Sequence, residues 1–100
     1  MLERDFQRNV LKDLKEIEGI YFIKTQERGR RGVPDLFLSI RGKFIAIELK
    51  REEGRLDPLQ AHTLERVKKA GGLAFTARPS TWALQLSMLR GLATADAAQD

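Results

Sequence analysis

The chain has no cysteine and a single histidine, His62, among its 100 residues. The first absence excludes disulfides, thiol catalysis and zinc sites built on thiolates. The second excludes a histidine cluster, so any metal has to be held mainly by oxygen. Long apolar runs are missing too, with nothing approaching the roughly 18 to 20 residues that a membrane span needs. The N-terminal MLERDFQRN carries charge where a signal peptide requires an apolar stretch. A cytoplasmic protein is expected, with no membrane partner, and associated with the nucleoid if the source is bacterial or phage. Internal repeats and linkers are also absent.

What is present fits a folded globular chain, with 42% hydrophobic and 32% charged residues. A chain of this length makes one domain with a modest core. That domain is expected over residues 1–92, with 93–100 a flexible, alanine-rich tail. The formal net charge is +4, and the tail holds Asp96 and Asp100 without a base, so the preceding residues carry about +6. Such a charge suits nucleic acid, an acidic partner or a membrane surface, and it does not choose among them.

Leu2, Phe6, Val10, Leu14 and Ile17 recur at three- and four-residue spacing, which predicts an amphipathic first helix stopped by Gly19 and packed on a sheet. IYFIK (20–24), PDLFLSI (34–40) and KFIAIELK (43–50) are rich in β-branched and aromatic residues and read as strands. A polar, glycine-containing loop separates the first two, and Arg41-Gly42 makes a hairpin between the second and third. Asp57 can cap a helix that starts at Pro58 and stops at Gly71-Gly72. LAFTARP supplies a fourth strand. Ser80 can cap a last helix to about Leu92, with Trp82, Leu86 and Leu89 inward and either Met88 or Leu92 beside them. The order is αβββαβα, an α/β (α+β) arrangement.

Strand alternation puts Asp35, Phe37 and Ser39 on one face of the second strand and Phe44, Ala46, Glu48 and Lys50 on one face of the third. The opposite faces, Leu36-Leu38-Ile40 and Ile45-Ile47-Leu49, are wholly apolar. A hairpin closed symmetrically about Arg41-Gly42 sets Asp35 directly against Glu48. Carboxylates roughly 5 Å apart between Cβ atoms repel, and a buried pair takes up a proton or a cation. Mg²⁺ relieves that repulsion and typically keeps water and phosphate ligands beside one or two carboxylates. Lys50, two residues on, can orient or help deprotonate an attacking water and stabilise transition-state charge. An E-x-K tripeptide alone fits a solvated ion pair at a sheet edge better than a catalytic site. The Pro-Asp strand and tight hairpin give it its meaning.

Glu3 falls near the middle of the first helix's apolar stripe at about 100° per residue. An inward carboxylate there would join a metal site directly or through water, pair with an arginine, or fray at the chain start.

Gly32-Val33-Pro34-Asp35, Glu48-Leu49-Lys50 and Leu56-Asp57-Pro58-Leu59-Gln60 together resemble the VRR-NUC branch of the PD-(D/E)XK nucleases, over roughly residues 1–90. The resemblance implies a restriction-endonuclease-like core, a mixed four-stranded sheet flanked by helices, and DNA hydrolysis dependent on Mg²⁺, with Mn²⁺ able to substitute. It implies Asp35 and Glu48 as metal ligands with the Leu49 carbonyl as a third, and Lys50 as the catalytic lysine. It further implies Glu3 as the helix-one acid and Gln60 as the glutamine after the core motif. By physics alone Gln60 is a solvated or capping residue. No core position departs from the family pattern.

Lys24, Arg28, Arg30 and Arg31 precede the catalytic strand, and Arg51 and Arg55 follow Lys50. They suit phosphate neutralisation, or ordinary solvation of loops. His62 is a surface residue or a phosphate contact, and Trp82 fits the core or an interface better than base stacking. The expected function is a structure-selective, Mg²⁺-dependent DNA endonuclease, cutting four-way (Holliday) junctions as a homodimer through a last helix with more apolar residues than one face needs. The alternatives are a restriction-like or exonucleolytic nuclease, and a catalytically silent DNA-binding module of the same fold.

Overall fold

The computed structural model describes residues 1–25 and 32–95. Its elements are α1 (Glu3–Lys15), β1 (Ile20–Lys24), β2 (Leu36–Ile40), β3 (Lys43–Leu49), α2 (Pro58–Lys69), β4 (Leu73–Ala77) and α3 (Pro79–Ala95). The strands form one mixed sheet in the order β1-β2-β3-β4, antiparallel except for the β3–β4 pair. The αβββαβα order and the flanked mixed sheet are therefore as expected. Arg41 and Gly42 both have positive φ, 48° and 83°, which is the twist a two-residue hairpin turn requires. The parallel β3–β4 pair needs a crossover, and α2 is that crossover.

The two faces of the sheet differ. Leu36, Leu38, Ile40, Ile45, Ile47 and Leu49 pack against Phe6, Val10 and Leu14 of α1 and Trp82, Leu86 and Leu89 of α3. This face is the main core, where truncating a leucine or isoleucine to alanine costs about 2–5 kcal/mol. The Trp82 indole N–H donates to Asp13 Oδ2 at 2.9 Å, so its polar edge is satisfied within the core. On the other face a smaller cluster joins Ala46, Leu64 and Ala74 to Phe37, Leu56 and Val67. There α2 packs on β3 and β4, while Tyr21 and Ile23 of β1 and Phe44 of β3 stay exposed.

The last helix differs from its sequence-based outline at both ends. It begins at Pro79, preceded by Arg78, whose N–H donates to Thr81 Oγ1 at 3.0 Å. Ser80 is not the cap. Its N–H donates to the Glu52 carboxylate and its hydroxyl donates to Glu52 Oε2. A distant carboxylate thus meets the positive end of the helix, an arrangement that a local pattern cannot announce. At the other end the helix passes Leu92, because Ala93 is buried and its carbonyl accepts from Arg41 Nε at 2.8 Å. Ala93 and its neighbours to Ala95 therefore belong to the helix rather than to a tail. Residues 96–100 lie outside the described residues. Among the described residues no helix is long and apolar enough to cross a membrane.

Candidate active site

The observed hairpin register pairs Leu36 with Ile47 and Ile40 with Lys43, so one step further Asp35 meets Glu48. The Asp35 N–H donates to Glu48 Oε1 at 3.2 Å, and the Leu49 N–H donates to Asp35 Oδ2 at 2.7 Å. Asp35 precedes β2 rather than lying within it. Thr25 holds it there: its N–H donates to the Asp35 carbonyl at 2.9 Å and its hydroxyl to the Pro34 carbonyl at 2.7 Å. Gly32 permits the approach of this segment to α2. Its φ is +85°, and an added Cβ would sit 3.0 Å from the Leu59 carbonyl oxygen, so both conformation and space favour glycine.

Among the described residues Glu48, 2% exposed, is the buried charged side chain. Burial, the hydrogen bond to the Asp35 side chain and the Asp35 charge push its carboxyl up to about 9, against a lowering by Lys50. The metal-free pair thus holds a proton at neutral pH, the outcome expected when a carboxylate is buried beside another. Lys50 follows β3, half-buried, with its N–H donating to the Ala77 carbonyl at 3.0 Å. The loop after it is tied down by Arg78, whose Nη1 donates to the carbonyls of Arg51, Glu52 and Gly54. Arg78 and Thr25 were not legible as site residues. Each acts on backbone far away in sequence, and neither has a local spacing that signals it.

Other expected site residues are not gathered at the pair. Glu3 is exposed, and burial on α1 begins only at Phe6. The helical stripe does include Glu3, but the first turn has no covering layer, so the inward carboxylate expected there is not observed. Among the described residues no group of three or more His, Cys, Asp or Glu is close enough to hold a metal. Gln60 is a capping residue: its Oε1 accepts from the Asp57 N–H at 3.0 Å and its own N–H donates to Asp57 Oδ1 at 2.9 Å. This reciprocal box satisfies donors that the first helical turn leaves open. Lys24 pairs with Leu36 and so shares the face opposite Glu48. Arg51 and Arg55 are exposed beside the Lys50 loop, and His62 is exposed on α2. Arg28, Arg30 and Arg31 lie outside the described residues.

A mixed sheet with this order, carrying a buried glutamate beside a half-buried aspartate and a following lysine at one strand end, is an α+β domain of nuclease type. The VRR-NUC domain family matches residues 4–80. A solved structure described as a "VRR_NUC domain" is 28% identical, with a TM-score of 0.68, covering 87% of this chain and 91% of that one. No curated protein matches the chain. The chain belongs to the VRR-NUC family, whose nuclease-type domain implies DNA as a partner.

Proposed function

We infer that the protein is a metal-dependent DNA endonuclease, with Asp35 and Glu48 holding a divalent cation and Lys50 serving the chemistry. The observation that carries this reading is the carboxylate pair: buried Glu48, at 2% exposure, accepts from the N–H of half-buried Asp35, at a strand end that also presents Lys50. The donor set fits Mg²⁺, which uses one or two protein carboxylates and retains waters, and Mn²⁺ suits the same oxygens. The Leu49 N–H points toward Asp35, and in an extended strand a residue's carbonyl leaves on the same edge, which supports the Leu49 oxygen as a further ligand.

The bound cation would supply Lewis-acid stabilisation of a phosphoryl oxygen and a more acidic water. The chain's own groups do the rest. Lys50 orients the nucleophile and stabilises charge that develops on the phosphate. Glu48 gives up its proton when the cation binds, so affinity rises with pH. Arg51 and Arg55 neutralise flanking phosphates.

Lys50→Ala tests the assignment. Cleavage of supercoiled plasmid and of four-way junctions in Mg²⁺ is expected to fall at least about a hundredfold, with melting and DNA binding little changed. Activity within a few-fold of the unmodified protein would overturn it. Among substrates we favour branched DNA cut by a homodimer. Leu84, 80% exposed, and Met88 lie one turn apart on the outer side of α3, available to meet a second copy and to set two active sites at a fixed separation.

A further inference from the structure

At the far end of the same sheet face, away from Glu48, lies a cavity of about 560 Å³ lined by Lys43, Phe44, Thr63, Arg66, Val67 and Gly72. Its volume falls in the range of pockets that hold small ligands, roughly 300–1,000 Å³. We propose that this cavity binds one nucleotide of an unpaired DNA strand and so gives the nuclease its preference for branched substrates. The proposal rests on the endonuclease reading and deepens it.

The floor and the rim have different chemistry. Phe44 is 46% exposed, and its ring lies 5.4 Å from that of Phe37, tilted by 31°. With Val67 beside it, this is an apolar surface on which a base can stack, an interaction worth about 1–3 kcal/mol per base. The cavity also lies at the C-terminal end of α2, where helix carbonyls are partly negative. A phosphate is disfavoured deep in such a place, whereas the N–H edge of a base is suited to it. Cations occupy the rim. Lys43 donates to the Gly71 carbonyl at 3.0 Å, and exposed Arg66 forms no ion pair or side-chain hydrogen bond among the described residues. Arg66 is thus placed to take the phosphate of a nucleotide whose base lies on Phe44.

The cavity and the catalytic pair lie on one face of the sheet, at opposite ends of α2, with Ala46 buried under that helix between them. Phe44, Ala46 and Glu48 share one face of β3, and Phe37 lies opposite Ala46. Four residues of strand separate Phe44 from Glu48, about 14 Å at 3.4 Å per residue, equivalent to about four base pairs of duplex rise. A strand that separates from its complement within that distance of the cut can reach both. Plain duplex offers no free base to the cavity.

The test uses full-length protein with a forked duplex bearing a single-stranded arm, the same fork with an abasic arm, and the blunt duplex. Binding is read by fluorescence anisotropy in chelator and cleavage in Mg²⁺. The fork is expected to bind about five- to tenfold more tightly than the abasic fork or the duplex. Phe44→Ala and Arg66→Ala should each remove that advantage, raise KM for the fork and leave kcat unchanged. Arg66 is exposed, so its variant reports without a folding risk. Equal affinity of the unmodified protein for the fork and the abasic fork overturns the proposal, as does an advantage that survives both substitutions. A change in solution mass on either substitution also overturns it, in favour of a second copy in the cavity. Base-dependent binding without any cleavage would instead sink the nuclease reading and leave the cavity assignment standing.

Discussion

Glu48 is where the sequence's chemistry and the fold's burial meet. Folding removes its carboxylate from water and sets it against Asp35, lifting it from an ordinary value of 4.5 to about 9. The folded state therefore binds a proton that the unfolded chain releases, and stability is lost as pH rises through this window. Metal-free protein is expected to melt at progressively lower temperature from about pH 5 to pH 9, with a limiting slope of about 1.4 kcal/mol per pH unit for one proton. Glu48→Gln should flatten the profile and raise the melting temperature at alkaline pH while weakening Mn²⁺ binding. Mg²⁺ or Mn²⁺ should restore the unmodified protein at the alkaline end. A flat profile for the metal-free unmodified protein would refute the proton-sharing pair.

At the scale of elements, α2 links the two ends of the site face, starting near Gly32 and ending at the Phe44 cavity. Its start is set by Asp57 and Gln60, which share reciprocal hydrogen bonds. A capping role predicts that Gln60→Ala costs about 1 kcal/mol. Gln60→Glu should restore that loss, because glutamate at the third helical position closes the same box. Thermal melting measures both, and cleavage should be retained in the Glu variant. A Gln60→Glu protein that melts normally but no longer cuts would return Gln60 to the chemistry.

For the molecule as a whole, the proposed assembly centres on α3. Trp82, Leu86, Leu89 and Ala93 are buried against the sheet, yet Leu84 and Met88 remain on the outside. Light scattering of the unmodified protein should give about twice the chain mass of 11.4 kDa. Leu84→Lys should halve that mass, because a charge is poorly tolerated in the apolar centre of an interface. The monomer is expected to keep nicking activity and lose paired cuts in junctions. An unmodified protein that is monomeric at micromolar concentration and cuts linear duplex as readily as junctions would refute the dimeric resolvase reading.

Element order, the αβββαβα topology and the Asp35–Glu48 register were all readable from the chain. Each follows from short-range rules: a period of two in strands, a period of 3.6 in helices, and a two-residue turn that leaves one symmetric pairing. Arg41-Gly42 in particular carries the register from the turn to the site, five residues away along β3. The tertiary structure alone decided which potential side chains reach the pair. Glu3 has the right helical phase, but phase does not say where the covering layer ends. Lys24 lies near in sequence, yet its strand pairing sends it to the other face. Glu52 at the start of α3, Thr25 on the Pro34-Asp35 backbone and Arg78 across the Lys50 loop join segments far apart in the chain. No periodicity encodes such contacts, because they arise only when packing has brought separate elements within a hydrogen bond of one another.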